Sequence, residues 1–141
     1  MRFDPARLRP AEVLALLAAA LLAVALFEPW FEFSGVNRDA WSAVGATAVL
    51  AALSAAAGLV LVAVTLTQRS PSLPLAAAVL TVVLAFASTI LIAVTAASPP
   101  ALETGSCFGL WLGLAGSFGL LTAAWLSLRD ERPFWGVPVS R

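Results

Sequence analysis

The chain has 141 residues, 61% of them hydrophobic and 11% charged, with a mean hydropathy of +0.96 and no formal net charge. A soluble domain is usually about half apolar and about a quarter charged, and a chain this short cannot hide so large an apolar excess in one core. The excess must face lipid, and without a basic field the chain has nothing to attract nucleic acid.

Histidine and tyrosine are absent and cysteine occurs once. That removes the commonest metal ligand, the usual proton shuttle near neutral pH, and any internal disulfide. The composition predicts a protein that is not an enzyme and that holds no cofactor and no metal.

Four apolar stretches predict membrane helices, each near or above the ~18 residues with few charges that a crossing needs. The first covers residues 11–27 and ends at Glu28-Pro29-Trp30. Its basic approach and its Ala23-Val24-Ala25 imitate a secretory signal. Pro29-Trp30-Phe31, however, continues as an interfacial anchor, so a retained helix is expected. A polar loop, Ser34 to Asp39, leads to the second stretch, residues 40–67, which carries no charge. As one helix at ~1.5 Å per residue it would exceed ~40 Å, longer than a ~30 Å hydrocarbon core, and it should tilt or project. The third stretch, residues 75–97, follows a hairpin containing Pro71 and Pro74, the latter suited to a helix start. Ser98-Pro99-Pro100 closes it, and the fourth stretch covers residues 106–128, leaving 129–141 as a short cytoplasmic tail.

Short connections make consecutive helices antiparallel. The predicted fold is an all-α membrane protein, one antiparallel bundle of four transmembrane helices. Arg2, Arg7, Arg9, Arg69, Arg129, Arg132 and Arg141 fall on one side and Arg38 alone on the other. This positive-inside asymmetry puts both termini in the cytoplasm.

Charge at mid-depth in a membrane usually marks function, and here the ionisable residues lie toward the ends of the stretches. Small four-helix multidrug transporters are similar in size and span count but carry a membrane-embedded Glu in the first helix. In this chain Glu12 and Glu28 flank that helix instead. Glu28, Glu32, Asp39 and Glu103 form a possible acidic surface on the outer side. Trp30, Phe31, Phe33, Trp41 and, in the tail, Trp135 read as interfacial anchors of the kind that form aromatic belts. Ser54, Thr65, Thr81, Ser88, Thr89, Thr95 and Thr122 read as hydroxyls bonding within or between helices. Cys107 reads as an inert thiol, since nothing nearby would stabilise a thiolate.

The fourth stretch holds the most regular pattern. Gly105, Gly109, Gly113 and Ser117 recur every four residues, with Gly116 and Gly119 close beside them. Such a stripe lets a second helix approach closely, either within the monomer or from another chain. Matching small residues occur at Ala11, Ala15, Ala19 and Ala23, and at Ala48, Ala52 and Ala56.

Pro29-Trp30-Phe31, Ala40-Trp41-Ser42-Ala43 and Trp125-Leu126-Ser127-Leu128-Arg129-Asp130-Glu131 together resemble a set of small four-helix membrane proteins from GC-rich actinobacteria. The use of arginine without lysine fits such a source. The resemblance spans most of the chain and implies a bacterial plasma membrane, but no catalytic residues. The functional expectation is a protein that works in the lipid bilayer through helix–helix contacts, as an accessory subunit of a larger membrane-protein complex or as a homo-oligomer. The alternative is an oligomeric channel or small-molecule transporter with an acidic outer vestibule.

Overall fold

A computed structural model describes residues 9–67, 72–99 and 105–130. It is mostly helical. Four long helices dominate: α1 (Pro10–Ala25), α3 (Gly45–Thr67), α4 (Ser72–Ala97) and α5 (Phe108–Asp130). A single-turn helix α2 (Ala40–Ala43) precedes α3. At one end sit three short strands, β1 (Pro29–Phe33), β2 (Val36–Asp39) and β3 (Gly105–Ser106), forming one sheet in the order β2-β1-β3.

The sheet corrects the all-α expectation, because the residues read as an outer loop pair as strands. Two neighbours with positive φ, Ser34 at 51° and Gly35 at 80°, turn the chain from β1 into β2. A two-residue turn with both φ positive matches the natural twist of a hairpin. The uncharged run 40–67 is also not one helix. Val44, at φ −143° and ψ 62°, interrupts it, and α3 has 23 residues, ~34 Å long. The break removes the excess length that would have demanded a tilt.

α1 packs on α5 and on α3, α3 packs on α4, and α4 packs on α5. The helices therefore form a ring in chain order, alternating in direction, with α3 and α5 touching across the diagonal. The core is built from small residues, among them Ala15, Ala19, Ala48, Ala51, Ala85 and Ala123. Their short side chains bring backbones close, which supplies packing where lipid offers no hydrophobic drive between helices. On α3 the buried register is Ala48, Ala51 and Ala55, with Ala56 exposed. Leu120 of α5 fills the space over Gly58, where an added Cβ would lie 2.6 Å from its Cδ1 and 3.3 Å from Ala19 Cβ.

The outward faces remain apolar, with Leu17, Val24, Val60, Val83, Phe118 and Trp125 all exposed. α3, α4 and residues 108–129 of α5 are long and apolar enough to cross a membrane, while α1 is a shorter apolar helix. That combination makes the chain a membrane protein.

One polar clasp joins α3 to α4. The hydroxyls of Ser54 and Ser88 lie 2.6 Å apart and are fully buried. Ser54 donates its proton to Leu50 O at 2.9 Å, which leaves Ser88 to donate to Ser54. Thr65, Thr81 and Thr89 each donate to the carbonyl four residues earlier. A double-mutant cycle on Ser54→Ala and Ser88→Ala, read by unfolding in detergent, should return a coupling on the order of 0.6 kcal/mol, as expected for such pairs in membranes. Strictly additive losses would mean that the two hydroxyls do not hold each other.

Candidate functional site

The sheet end of the bundle gathers most of the residues that the sequence singles out. β1 pairs with β2 in the register Phe33↔Val36, Glu32↔Asn37, Phe31↔Arg38 and Pro29↔Asp39, so Trp30 is an extra residue in β1. A bulge of this kind bends its strand and re-aims a side chain. In a regular strand Trp30 and Phe31 would face opposite sides. With the bulge, both are fully buried.

The expectation of Trp30 and Phe31 as interfacial anchors therefore differs from their placement. Trp30 reaches back into the bundle, and its indole Nε1 donates to Ala25 O at 2.7 Å. That carbonyl lies at the C-terminal end of α1, where helix acceptors lack intrahelical donors. The ring covers α5, where a Cβ on Gly113 would lie 2.7 Å from Trp30 Cζ2. At Gly109 a Cβ would lie 2.8 Å from Trp30 Cδ1 and 2.5 Å from Pro29 O. One turn further in, a Cβ on Gly116 would lie 2.9 Å from the backbone nitrogen of Leu22. Gly119 faces Ala18 more loosely, at 3.4 Å.

The glycine pattern is therefore filled from within the chain. Gly109 and Gly113 form a socket for Trp30, Gly116 admits α1, and Ser117 is buried and donates to Leu114 O at 3.0 Å. Gly105 has nothing within 4 Å of a would-be Cβ and belongs to β3. The four-residue repeat thus has one member outside the helix and three inside the fold.

The aromatic residues divide. Phe33 is half-buried, stacks edge-on against Phe31 at 6.4 Å and lies under the guanidinium of Arg38 at 5.7 Å. Trp41 is exposed and tilts against Phe27 at 6.4 Å. Trp135 and Glu103 lie outside the described residues.

Of the outer carboxylates, Glu28 is exposed and Glu32 is half-buried and has a polar partner. Asp39 caps α2, accepting from Ser42 N at 2.9 Å and Ser42 Oγ at 2.8 Å. These hydrogen bonds, the backbone one foremost, hold the Asp39 carboxyl below its ordinary 3.8. β1 also pairs antiparallel with β3, where Ser106 faces Phe31 and Gly105 faces Glu32. Cys107 continues that edge: its N–H donates to Trp30 O at 2.8 Å, and its thiol lies 3.8 Å from Asn37 Oδ1.

At the opposite end, Glu12 is buried in the first turn of α1, although its place in the sequence marks it as a flanking residue. It accepts from Arg9 N at 3.0 Å and from Ser127 Oγ at 3.4 Å. No signal in the sequence points to Ser127 as its partner, 115 positions away. Among the described residues no group of three or more His, Cys, Asp and Glu side chains is placed to hold a metal.

Two outcomes follow from this arrangement. Trp30→Ala should lower stability in detergent by about 3–5 kcal/mol, the range for deleting a large buried aromatic. Gly109→Ala should also depress the Tm, whereas Gly105→Ala should leave it unchanged; equal shifts at the two glycines would refute the socket. For Asp39, the depressed carboxyl means that its cap contribution is present above the ordinary carboxylate range and lost as pH falls through the folded value. Asp39→Ala should therefore cost an amount at the low end of ~0.5–2 kcal/mol at neutral pH, and the difference from wild type should shrink as the pH is taken below 4. Comparison with protein-family models, with curated proteins and with solved structures finds nothing that matches this chain.

Proposed function

We propose that the chain is a four-span protein of a bacterial plasma membrane, with both termini cytoplasmic, that works through contacts between its helices and those of other chains. It is not an enzyme on this reading but an accessory subunit or a homo-oligomer. The arginine asymmetry supports the orientation, since seven of the eight arginines flank the end away from the sheet in sequence. The alternating ring supports the fourth crossing, with α1 running the same way as α4 and packed against two of the long apolar helices. Three helices long and apolar enough to cross a bilayer support the membrane.

The observation that carries the assembly reading is the position of α4. Only 28% of its apolar window is buried, against 44% in α3 and in α5. Val79, Val83 and Ile90 lie on its open face. The glycines of α5 do not provide this surface, since Trp30 and α1 already occupy them. α4 is the helix with room for a neighbour.

A photo-crosslinking residue placed at Val79, Val83 or Ile90 in native membranes should yield a discrete protein adduct, either to a second copy or to one partner. The same residue at Leu17 on α1 serves for comparison. Adducts to lipid alone, together with a monomeric mass in mild detergent, would sink the reading. For orientation, Val36→Cys in a Cys107→Ser background should react with an impermeant maleimide from outside intact cells. Arg141→Cys should react only after permeabilisation.

A further inference from the structure

On the outward side of α4 and α5, Val82, Phe86, Leu121, Thr122 and Trp125 line an open groove of about 360 Å³. This volume falls within the ~300–1,000 Å³ of ligand-sized clefts. The lining is apolar, because the one hydroxyl in it, on Thr122, donates to Phe118 O at 3.0 Å.

Its depth is informative. Trp125 stands one helical turn or so before the end of α5 at Asp130, ~7 Å along the axis. Phe86, at the other end of the groove, lies ~21 Å along α4 from Ser72. The groove thus runs from the membrane edge at the end away from the sheet to about mid-bilayer, the depth of one leaflet of a ~30 Å core.

The edge of the groove is polar in a specific way. Trp125 is exposed, and among the described residues its indole N–H has no hydrogen-bond acceptor. Arg129 is exposed and follows Trp125 by four residues, which places it on the same helix face one turn nearer the membrane surface. Arg9 begins α1 at the same end of the bundle. An apolar trough of one-leaflet depth, topped by an aromatic N–H and a guanidinium, complements a chain molecule with an anionic head.

We infer that this groove is a binding site for an anionic phospholipid. One acyl chain lies against Val82, Phe86 and Leu121. Trp125 Nε1 donates to an ester or phosphate oxygen, and Arg129 pairs with the negative headgroup. A zwitterionic headgroup carries a cation that opposes Arg129, so the site prefers net negative lipids. Phe86 lies on the open face of α4 together with Val79, Val83 and Ile90, so the acyl chain borders the surface offered to a neighbour, while the two headgroup contacts lie on α5 alone.

The test is native mass spectrometry of the delipidated full-length chain in mild detergent, titrated with phosphatidylglycerol or phosphatidylcholine of identical acyl chains. Wild type should retain one phosphatidylglycerol per chain with about fivefold preference over phosphatidylcholine, the worth of one arginine near an anionic headgroup. Arg129→Gln should bring the two lipids to parity, and Thr122→Phe, which fills the groove, should reduce retention of both. Trp111→Ala, at the sheet end of α5, should leave both unchanged. A measurement on the unaltered chain stands beside these: phosphatidylglycerol with a mid-chain diazirine should label peptides containing Phe86 or Leu121. Equal retention of the two lipids by wild type, undiminished binding by a folded Thr122→Phe variant, or labelling confined to other helices would each overturn the site. A Thr122→Phe variant that changes assembly mass while keeping its lipid would instead assign the groove to a protein partner, which also overturns it.

Discussion

The structure depends on one contact, the indole of Trp30 lying across Gly109 and Gly113 of α5. It joins three parts of the chain that are distant in sequence: the end of α1 through Ala25 O, the sheet through β1, and α5 through the two glycines. The bulge in β1 exists to permit this aim, since a regular strand cannot bury two consecutive aromatic residues on one side. The indole N–H meets a carbonyl at a helix terminus, so the buried polar atom is satisfied as well as the apolar ring.

Away from that contact the bundle is held by smallness rather than by bulk. Alanines and glycines line much of the interfaces of α1, α3 and α5, a few large side chains such as Leu22, Leu61 and Leu120 fill the space between them, and many of the rest point outward. In water such an arrangement would expose too much apolar surface; in lipid it is the sensible one, because close approach of backbones is the attraction that remains. α4 joins this set by a different device, the Ser54–Ser88 clasp, together with packing against both neighbours. Its larger lipid-facing surface follows from that peripheral place.

Much of this was legible in the residues. Long apolar runs separated by turn chemistry announced the helices, because a backbone in lipid must satisfy itself and only helices do so within one segment. The glycine repeat announced a close approach. Its occupant was not legible: a stripe of missing side chains says that something comes near, and an aromatic from β1 fits that description as well as a helix does. The sheet was hidden by the acidic and aromatic alternation of Glu28 to Phe33, which at a membrane edge reads equally as an anchoring belt. Only the Ser34-Gly35 turn hinted at a hairpin. The break at Val44 had only a weak signal, the glycine that follows it at position 45, since neither proline nor charge marks it. The burial of Glu12 was not legible for a similar reason: its partner Ser127 becomes a neighbour only after folding.

The Trp30 socket also sets an order of events during synthesis. The hairpin of β1 and β2 can close as soon as Asp39 is made, but Gly109 emerges 70 residues later, several seconds at ordinary rates of translation. Throughout that interval the largest side chain of the core has no floor to rest on, and β1 lacks its second neighbour. The first half of the protein must therefore wait in the membrane with an open edge and an unsheltered indole, and the arrival of α5 closes both together.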